Sequence, residues 1–518
     1  MEGVSLPNIL FLLTDQQRAD TIAALGNPII RTPALDRLVR EGTTFDRAYS
    51  PSPVCVAARF ALITGRAPHR SGVVDNMPSP PGARSIMEVL AARGYETHGT
   101  GKMHFTGGDP RRPWGFSSRD YSEEGTTDDD YSDFLRARGH GHVIDPHGLR
   151  SEYYYVPQPS QLPAPLHHTQ WVAERSIDFL RRRDRSRPFF LWSSFIKPHP
   201  PFESPNPWNR LYRSAEMPDP IMPNGSPAHW SFWNRVQNRY KYMDGGYNAH
   251  LQRTQVAAYY GAISMIDQAI GRILAELGEE VEDTLIVFSS DHGEMLGDFG
   301  CYGKRCMLEP SARVPLLVRH PARYAAGVRC RVPVSLLDLF PTFAAAAGAE
   351  AEAQASDGID LAAVAGGRRI RSGVLSQFSQ RALGLYLNAE AEWKYIYSAA
   401  DRREWLFNVA TDPHELRNVA GDPASREPLE RLRGQLLRRF EADGYAWAVE
   451  KGKWRDYGIA DFPSDPRTGL LFQDPAELAG ALAGLAGYER RATRPAELLR
   501  ATNPAAMDAV TGRVRIPT

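Results

Sequence analysis

At 518 residues, with 42% hydrophobic and 24% charged side chains, the chain has an ordinary soluble composition and the length of one large domain with additions, or of two to three domains. Its 61 lysines and arginines balance 61 aspartates and glutamates, so no net field draws it to nucleic acid or to an anionic membrane. Four scattered cysteines make no disulfide framework, and although Cys301 and Cys306 lie close together, no second pair offers zinc-ligand spacing.

The opening stretch, "MEGVSLPNILFLLTDQQ", lacks a basic n-region and a small-residue cleavage site, and Asp15 ends its apolar run, so it is not read as a signal peptide. No apolar stretch reaches ~18 residues; no transmembrane helix is expected, and the cytoplasm is the default location. "NILFLLT" (8–14) is a continuous apolar run that suits a strand buried on both faces. "ALDRLVREG" (34–42) reads as a helix ending at glycine, and "VAARFALIT" (56–64) as another, closed by Gly65. "SIMEVLAARGY" (85–95) opens on a capping box of Ser85 and Glu88. Residues 105–165 form a long polar, Gly- and Asp-rich insertion, which in a compact domain is functional or disordered. "FFLWSSF" (189–195), "TLIVFSS" (284–290) and "PLLVR" (315–319) repeat the buried-strand pattern, and "VSLLDLFPTFAAAAGA" (334–349) reads as a helix kinked or restarted at Pro341. Strands alternating with helices predict an α/β domain over 1–370, a large, mostly parallel sheet sandwiched by helices.

The texture changes after about residue 370. "SGVLSQF", "LGLYLN", "EWKYIYS" and "EWLFNV" are short strands divided by turns, and "REPLERLRGQLLRRFEADG" (426–444) is an amphipathic helix. Together they predict a smaller antiparallel sheet plus helix over 371–450. Residues 451–518, rich in Pro, Ala and Arg, read as an extended tail with one short helix near 475–486, packed on a neighbour rather than forming its own core, and a candidate oligomer-forming segment.

Two of the buried strands end in acids, Asp15 and Asp291. The carboxyl ends of parallel strands line the ligand crevice, where two carboxylates repel unless a cation lies between them. Gln16 and His292 follow immediately and add an oxygen and a nitrogen donor, a set suited to Ca²⁺, Mg²⁺ or Mn²⁺. Taken singly, either acid reads as a helix cap or turn residue. Within "PVCVAAR" (53–59), Cys55 stands at a helix N-terminus, where amides and the macrodipole favour negative charge, and Arg59 shares its helix face. That is the setting of a nucleophile for an anionic substrate; a buried cysteine beside a surface arginine is the competing reading.

These residues carry a resemblance. "CVAAR" followed by "ALITGR" resembles the sulfatase signature, with Ala57 where the commoner form has proline. "PNILFLLTDQ", "GYETHGTGKMHF", "KPHPPF", "SSDHGEMLGDFGCYGK", "VSLLDLFPTFAAAAGA" and "WLFNVATDPHELRNVA" resemble the family's other segments, in order, from about residue 7 to 420. The chain is thus similar to the sulfatase branch of the alkaline-phosphatase-like superfamily. In Asp-Gln and Asp-His it looks closest to choline sulfatases and phosphonate monoester hydrolases.

The resemblance implies that Cys55 is oxidised to formylglycine by a formylglycine-generating enzyme and that the hydrate attacks sulfur or phosphorus. It implies one divalent ion, Ca²⁺ or Mn²⁺ with Mg²⁺ as an alternative, held by Asp15, Gln16, Cys55, Asp291 and His292. Arg59 would fix the hydrate, Lys102 and Lys304 would bind the non-bridging oxygens, His199 would protonate the leaving alcohol, and His104 would assist the return of the aldehyde. Asn76 would donate to the metal sphere or the substrate oxygen. The expected activity is hydrolysis of a small sulfate ester, by a homo-oligomer in the cytoplasm without nucleic-acid or membrane partners. A phosphonate monoester or phosphodiester hydrolase is the alternative, and an unmodified pseudoenzyme with a binding role is the reading from another class. Trp114, Tyr121, the Asp128–Asp130 run and Tyr153–Tyr155 of the insertion are candidates to cage a cationic leaving group, against a solvated loop with ordinary aromatics.

Overall fold

The strand Asn8–Asp15 lies inside an eight-stranded sheet whose order is Val328–Cys330, Thr43–Phe45, Leu316–Arg319, Thr284–Ser290, Asn8–Asp15, Phe189–Pro198, Glu96–Gly101 and Ser118–Tyr121. The computed structural model describes residues 6–109, 111–223, 226–368 and 371–473, with the isolated positions 478, 483 and 485. The last five strands of that order pair in parallel. Leu316–Arg319 runs antiparallel to both its neighbours. The expected mostly parallel sheet is therefore present.

The continuous apolar runs reflect a sheet covered on both sides. Ile9, Phe11 and Leu13 point into one core with Phe60, Leu90 and Phe343, whereas Leu10 and Leu12 point into a second with Leu35, Trp171 and Ile270. Leu285 and Val287 divide from Ile286 and Phe288 in the same way. The helices Cys55–Thr64, Ile86–Ala92 and Leu339–Ala346 cover the first face; Pro33–Glu41, His168–Arg182 and Ala249–Leu277 cover the second. At roughly 1.5–3 kcal/mol per fully buried large apolar side chain, this two-sided burial is the main drive for the fold.

The capping box at Ser85 is formed, and Gly65 closes its helix at φ 63°. Two expectations change in detail. The 334–349 segment begins as a short strand, Val334–Ser335, and a 3₁₀ turn, Leu336–Asp338; its α-helix is Leu339–Ala346, with Pro341 in the first turn, where no intrahelical N–H is needed. The 105–165 insertion is not simply a loop. It supplies the edge strand Ser118–Tyr121 and the helix Asp130–Ala137, capped by Asp129.

The strands Gly373–Phe378, Leu385–Glu390, Trp393–Ser398 and Arg403–Asn408 form the smaller antiparallel sheet, and the helix Arg426–Ala442 packs on one face of it. The other face, through Phe378, Leu387 and Phe407, joins the main core. Buried Lys394 ties the two parts together, its Nζ 2.8 Å from Glu309 and 2.7 Å from Glu415. As far as it is described, the tail packs on its own chain. Trp454 stacks on Tyr397, Leu471 is buried, and Arg150 Nε donates to Gln473 Oε1 at 2.9 Å. The helix expected near 475–486 lies outside the continuous described stretches.

Candidate active site

The in-register pairing of Asn8–Asp15 with Thr284–Ser290 runs to Thr14 opposite Ser290, so the next residues, Asp15 and Asp291, emerge side by side. The register against Phe189–Pro198 then shifts between Thr14 and Asp15, and Gln16 takes a left-handed φ of 69°. Non-glycine residues in that region are uncommon and cluster at functional sites. Gln16 N–H donates to Asp291 Oδ1 at 3.1 Å, locking the two strand ends together.

Asp15, Cys55, Asp291 and His292 form one buried cluster whose donor atoms all lie within 4.8 Å of one another. Each donor has its other side occupied. Asp15 Oδ2 binds Lys102 Nζ at 2.6 Å, and Asp291 Oδ2 accepts from Arg59 Nε at 2.7 Å. His292 Nδ1 faces the Gly293 carbonyl at 3.1 Å, which holds the proton there and leaves the Nε2 lone pair facing inward, 3.3 Å from Cys55 Sγ. Gln16 Nε2 is taken by Glu294 and Tyr155, while its buried Oε1 has no hydrogen-bond partner. Carboxylate oxygens, an imidazole nitrogen and an orphaned amide oxygen converging in a buried space fit a divalent cation.

Cys55 begins its helix, and Lys304 Nζ lies 2.8 Å from Cys55 Sγ. Arg59, one turn on and fully buried, spans Asp291, Asp15 at 3.5 Å, the Lys102 carbonyl and Ser194 Oγ. Burial opposes charge on Asp15, but Lys102, His199, Lys304 and Arg59 outweigh it and hold the carboxyl well below the usual range. Burial likewise opposes the Lys102 ammonium, and Asp15 with Glu124 more than restores it. The site thus stores fixed positive charge around the thiol in a water-poor pocket, where it acts most strongly on a developing anion.

The profile of the Sulfatase family matches residues 7–349, and that described as N-sulphoglucosamine sulphohydrolase, C-terminal, matches 297–442. An arylsulfatase of Clostridium perfringens is 31% identical over 480 residues, covering 85% of this chain and 96% of its own. The chain belongs to the sulfatase family. A choline-sulfatase of Rhizobium meliloti is 30% identical over 480 residues, covering 88% of this sulfatase and 90% of its own length. Among solved structures, the phosphonate monoester hydrolase of Agrobacterium radiobacter superposes with a TM-score of 0.72 at 25% identity, covering 88% of this chain and 100% of that one.

In this sulfatase, five consecutive parallel strands each deliver a polar residue at or beyond their carboxyl ends: Asp291, Asp15, His199, Lys102 and Glu124. Glu124 lay in the insertion and carries no motif, yet it organises the far side of the site. Its Oε1 lies 2.7 Å from His199 Nδ1 and its Oε2 2.9 Å from Lys102 Nζ. Burial disfavours its charge, and His199, Lys102 and Arg150 hold it well below the usual carboxylate range. His199 Nδ1 also faces the Pro200 carbonyl at 2.7 Å, so the proton sits on Nδ1 and Nε2 points to Tyr154 Oη at 3.4 Å. Burial, with Lys304, outweighs Glu124 and keeps the resting imidazole neutral. A cavity of about 310 Å³ opens beside Glu124, lined also by Thr126, Asp145, His147, Arg150 and Gln473.

The remaining expected residues fall in different places. Asn76 Oδ1 accepts from Val56 N–H at 3.0 Å and so caps the nucleophile's helix, which has no cap of its own at Val54; only its amide nitrogen is left for a substrate. His104, φ 48°, is pushed down to about 4 by burial, with Lys102 and Arg59 adding to it; its Nδ1 is buried without a partner. Of the insertion's aromatic and acidic candidates, Tyr154 and Tyr155 reach the site. Trp114 packs on Phe60 in the core, Tyr153 faces solvent, and Asp129 caps a helix. Glu294, three residues after Asp291 in a quoted motif but given no role, joins Gln16, Tyr155 and the Gly303 N–H.

Proposed function

We propose that this sulfatase-family enzyme hydrolyses sulfate monoesters at Cys55. The observation that carries the reading is the thiol's position, inside a buried cluster of Asp15, Asp291 and His292 and under the Lys304 ammonium. When in place, a divalent cation held by Asp15, Gln16, Asp291 and His292, with formylglycine formed from Cys55, supplies a nucleophilic oxygen and a Lewis acid at the sulfuryl group. Arg59 fixes that oxygen's side of the site and screens the strand-end acids. Lys102 and Lys304 bind the non-bridging oxygens as charge builds on them. His199 takes up a proton from solvent on Nε2 and delivers it to the leaving alcohol; the Pro200 carbonyl at Nδ1 orients the ring, and the nearby Glu124 carboxylate stabilises its cationic form. Glu124 thus acts on the ring as a close charge rather than as a hydrogen-bonded orienter. His104, neutral at pH 7, serves as the base in product release.

Maturation requires a formylglycine-generating enzyme. Four cysteines that form no disulfide agree with a reducing compartment, the cytoplasm, and homo-oligomeric assembly is expected by analogy with the family. Among the described residues no helix is long and apolar enough to cross a membrane.

Hydrolysis of phosphonate monoesters is a second reading, favoured by a superposition that takes in 88% of this chain and all of a phosphonate monoester hydrolase. Both substrates present tetrahedral anionic centres to the same cations. Steady-state kcat/KM for phenyl sulfate, phenyl phenylphosphonate and a phosphodiester, on protein of known Cys55 modification, tests the choice. Sulfate ester turnover exceeding the others supports the first reading, and a phosphonate preference replaces it with the second.

A further inference from the structure

Lys241 is a buried lysine that the chemistry above does not use. It follows the helix Phe232–Tyr240, and its side chain is 3% exposed. Its Nζ lies 4.8 Å from the ring centres of both Tyr154 and Tyr155 and 5.5 Å from that of Tyr240. Among the described residues no carboxylate pairs with it directly; Glu294, which favours its charge from further off, is already engaged by Gln16, Tyr155 and the Gly303 N–H. The two other cations on this flank are paired: Arg150 lies 3.7 Å from Glu124, and Arg305 lies 3.2 Å from Asp75. Aromatic faces alone stabilise an ammonium by about 0.5–2 kcal/mol, far less than burying it costs. Burial, with Lys304, Arg305 and Arg150 nearby, outweighs the Glu294 carboxylate and pushes the Lys241 amine well below the usual lysine range.

Its position ties this lysine to the reaction. A Cβ at position 303 would lie 2.5 Å from Lys241 Cε and 3.1 Å from Nζ, so Gly303, at φ 83°, lets the lysine run against the turn that carries Lys304. Tyr154, on which Lys241 rests, presents its hydroxyl to His199 Nε2, the nitrogen that faces the departing oxygen. Lys241 therefore rests on the ring that contacts the leaving-group acid and beside the turn that carries Lys304. Tyr154 and Tyr155 face the enzyme's own cation.

We propose that Lys241 is a specificity-determining residue that binds an anionic oxygen group, such as a carboxylate, on the leaving alcohol. The inference rests on the hydrolase reading, and the missing counter-ion is supplied by the substrate. A charge-assisted hydrogen bond of this kind is worth about a tenfold to hundredfold change in selectivity.

The test compares 3- and 4-carboxyphenyl sulfate with their carboxamides, which match them in size but carry no charge. The parent enzyme should favour a carboxylate over its amide in kcat/KM. Lys241→Met should lose at least about tenfold more on that carboxylate than on the amide, with the loss in KM, and Lys241→Arg should restore part of the preference. Equal losses on acid and amide, or a parent preferring the amides, overturn the proposal, and the parent comparison needs no variant to fold. Calorimetric binding of 3- and 4-hydroxybenzoate against the hydroxybenzamides decides the subsite without turnover. A parent that binds the acids selectively through Lys241 yet hydrolyses no sulfate ester refutes the hydrolase reading and keeps the subsite; one that binds neither acid in preference to its amide refutes the subsite.

Discussion

Replacing Glu124 by glutamine removes one negative charge and keeps the shape of the side chain. The charge touches two partners, and their geometries decide which suffers. Lys102 keeps Asp15 at 2.6 Å and stays charged, whereas His199 Nδ1 loses its carboxylate at 2.7 Å and keeps only the Pro200 carbonyl. A carboxylate this close shifts a partner's pKa by roughly one to three units, or about 1.4–4 kcal/mol in the stability of the imidazolium. An ester whose alcohol leaves only when protonated, such as an alkyl sulfate, should therefore lose about tenfold to a thousandfold in kcat/KM. For 4-nitrophenyl sulfate, which departs unaided, the loss should stay near or below tenfold. The pH profile gives a second readout. An acid catalyst is active only below its pKa; losing Glu124 lowers the His199 pKa, so the alkaline limb for the alkyl ester should move to lower pH by roughly one unit or more. Steady-state kinetics from pH 5 to 9 on both esters is the assay. Equal losses on the two, with the alkaline limb unmoved, would refute the role given to the His199–Glu124 pair.

Asp291→Asn should weaken cation binding and activity together, since its carboxylate belongs to the cluster; calorimetric titration with Ca²⁺ or Mn²⁺ beside turnover checks this, and full binding with full activity would remove the site as drawn. Cys55→Ser has one hydroxyl where the formylglycine hydrate has two, so it should release at most one equivalent of alcohol and then stall, while Cys55→Ala should release none; multiple turnovers by the serine variant would sink the mechanism. Asp267, which accepts from the Ala34 and Leu35 amides of the helix Pro33–Glu41, is pushed by burial from 3.8 to about 6. The folded state thus binds a proton that the unfolded chain releases, so this stabilisation is present below about pH 4 and lost as pH rises through about 6, an effect of roughly 3 kcal/mol. Urea unfolding of the parent and of Asp267→Asn across pH 4–7 should show the decline only in the parent's relative stability; parallel curves would contradict it.

What the sequence disclosed of this site is what strand chemistry makes local. Asp15 and Asp291 are visible because each ends an unbroken apolar run, and such runs mark strands buried on both faces. Cys55 and Arg59 are visible because proline, a helical run and Gly65 delimit a single helix. Glu124, Tyr154 and Lys241 left no such trace. Glu124 follows a four-residue edge strand inside a polar insertion, with neither apolar run nor motif to mark it. Tyr154 and Lys241 lie far apart in sequence and meet only when the insertion folds over the helix Phe232–Tyr240. Asn76 was assigned to the reaction because it follows the signature closely, yet its oxygen completes a helix end that Val54 cannot cap. The helix Ala249–Leu277, buried along much of its length, was missed because its apolar stripe is interrupted by buried Gln252, Gln255 and Asp267.

The claim on which the rest depends is that Cys55 is the modified nucleophile. Tandem mass spectrometry of the tryptic peptide spanning Cys55, on preparations expressed with and without a formylglycine-generating enzyme, measures it directly. The peptide should be about 18 Da lighter than the unmodified form, from replacement of CH₂–SH by CHO, in a fraction that rises in proportion to the specific activity on phenyl sulfate. Full activity in protein whose Cys55 is entirely unmodified would contradict the account.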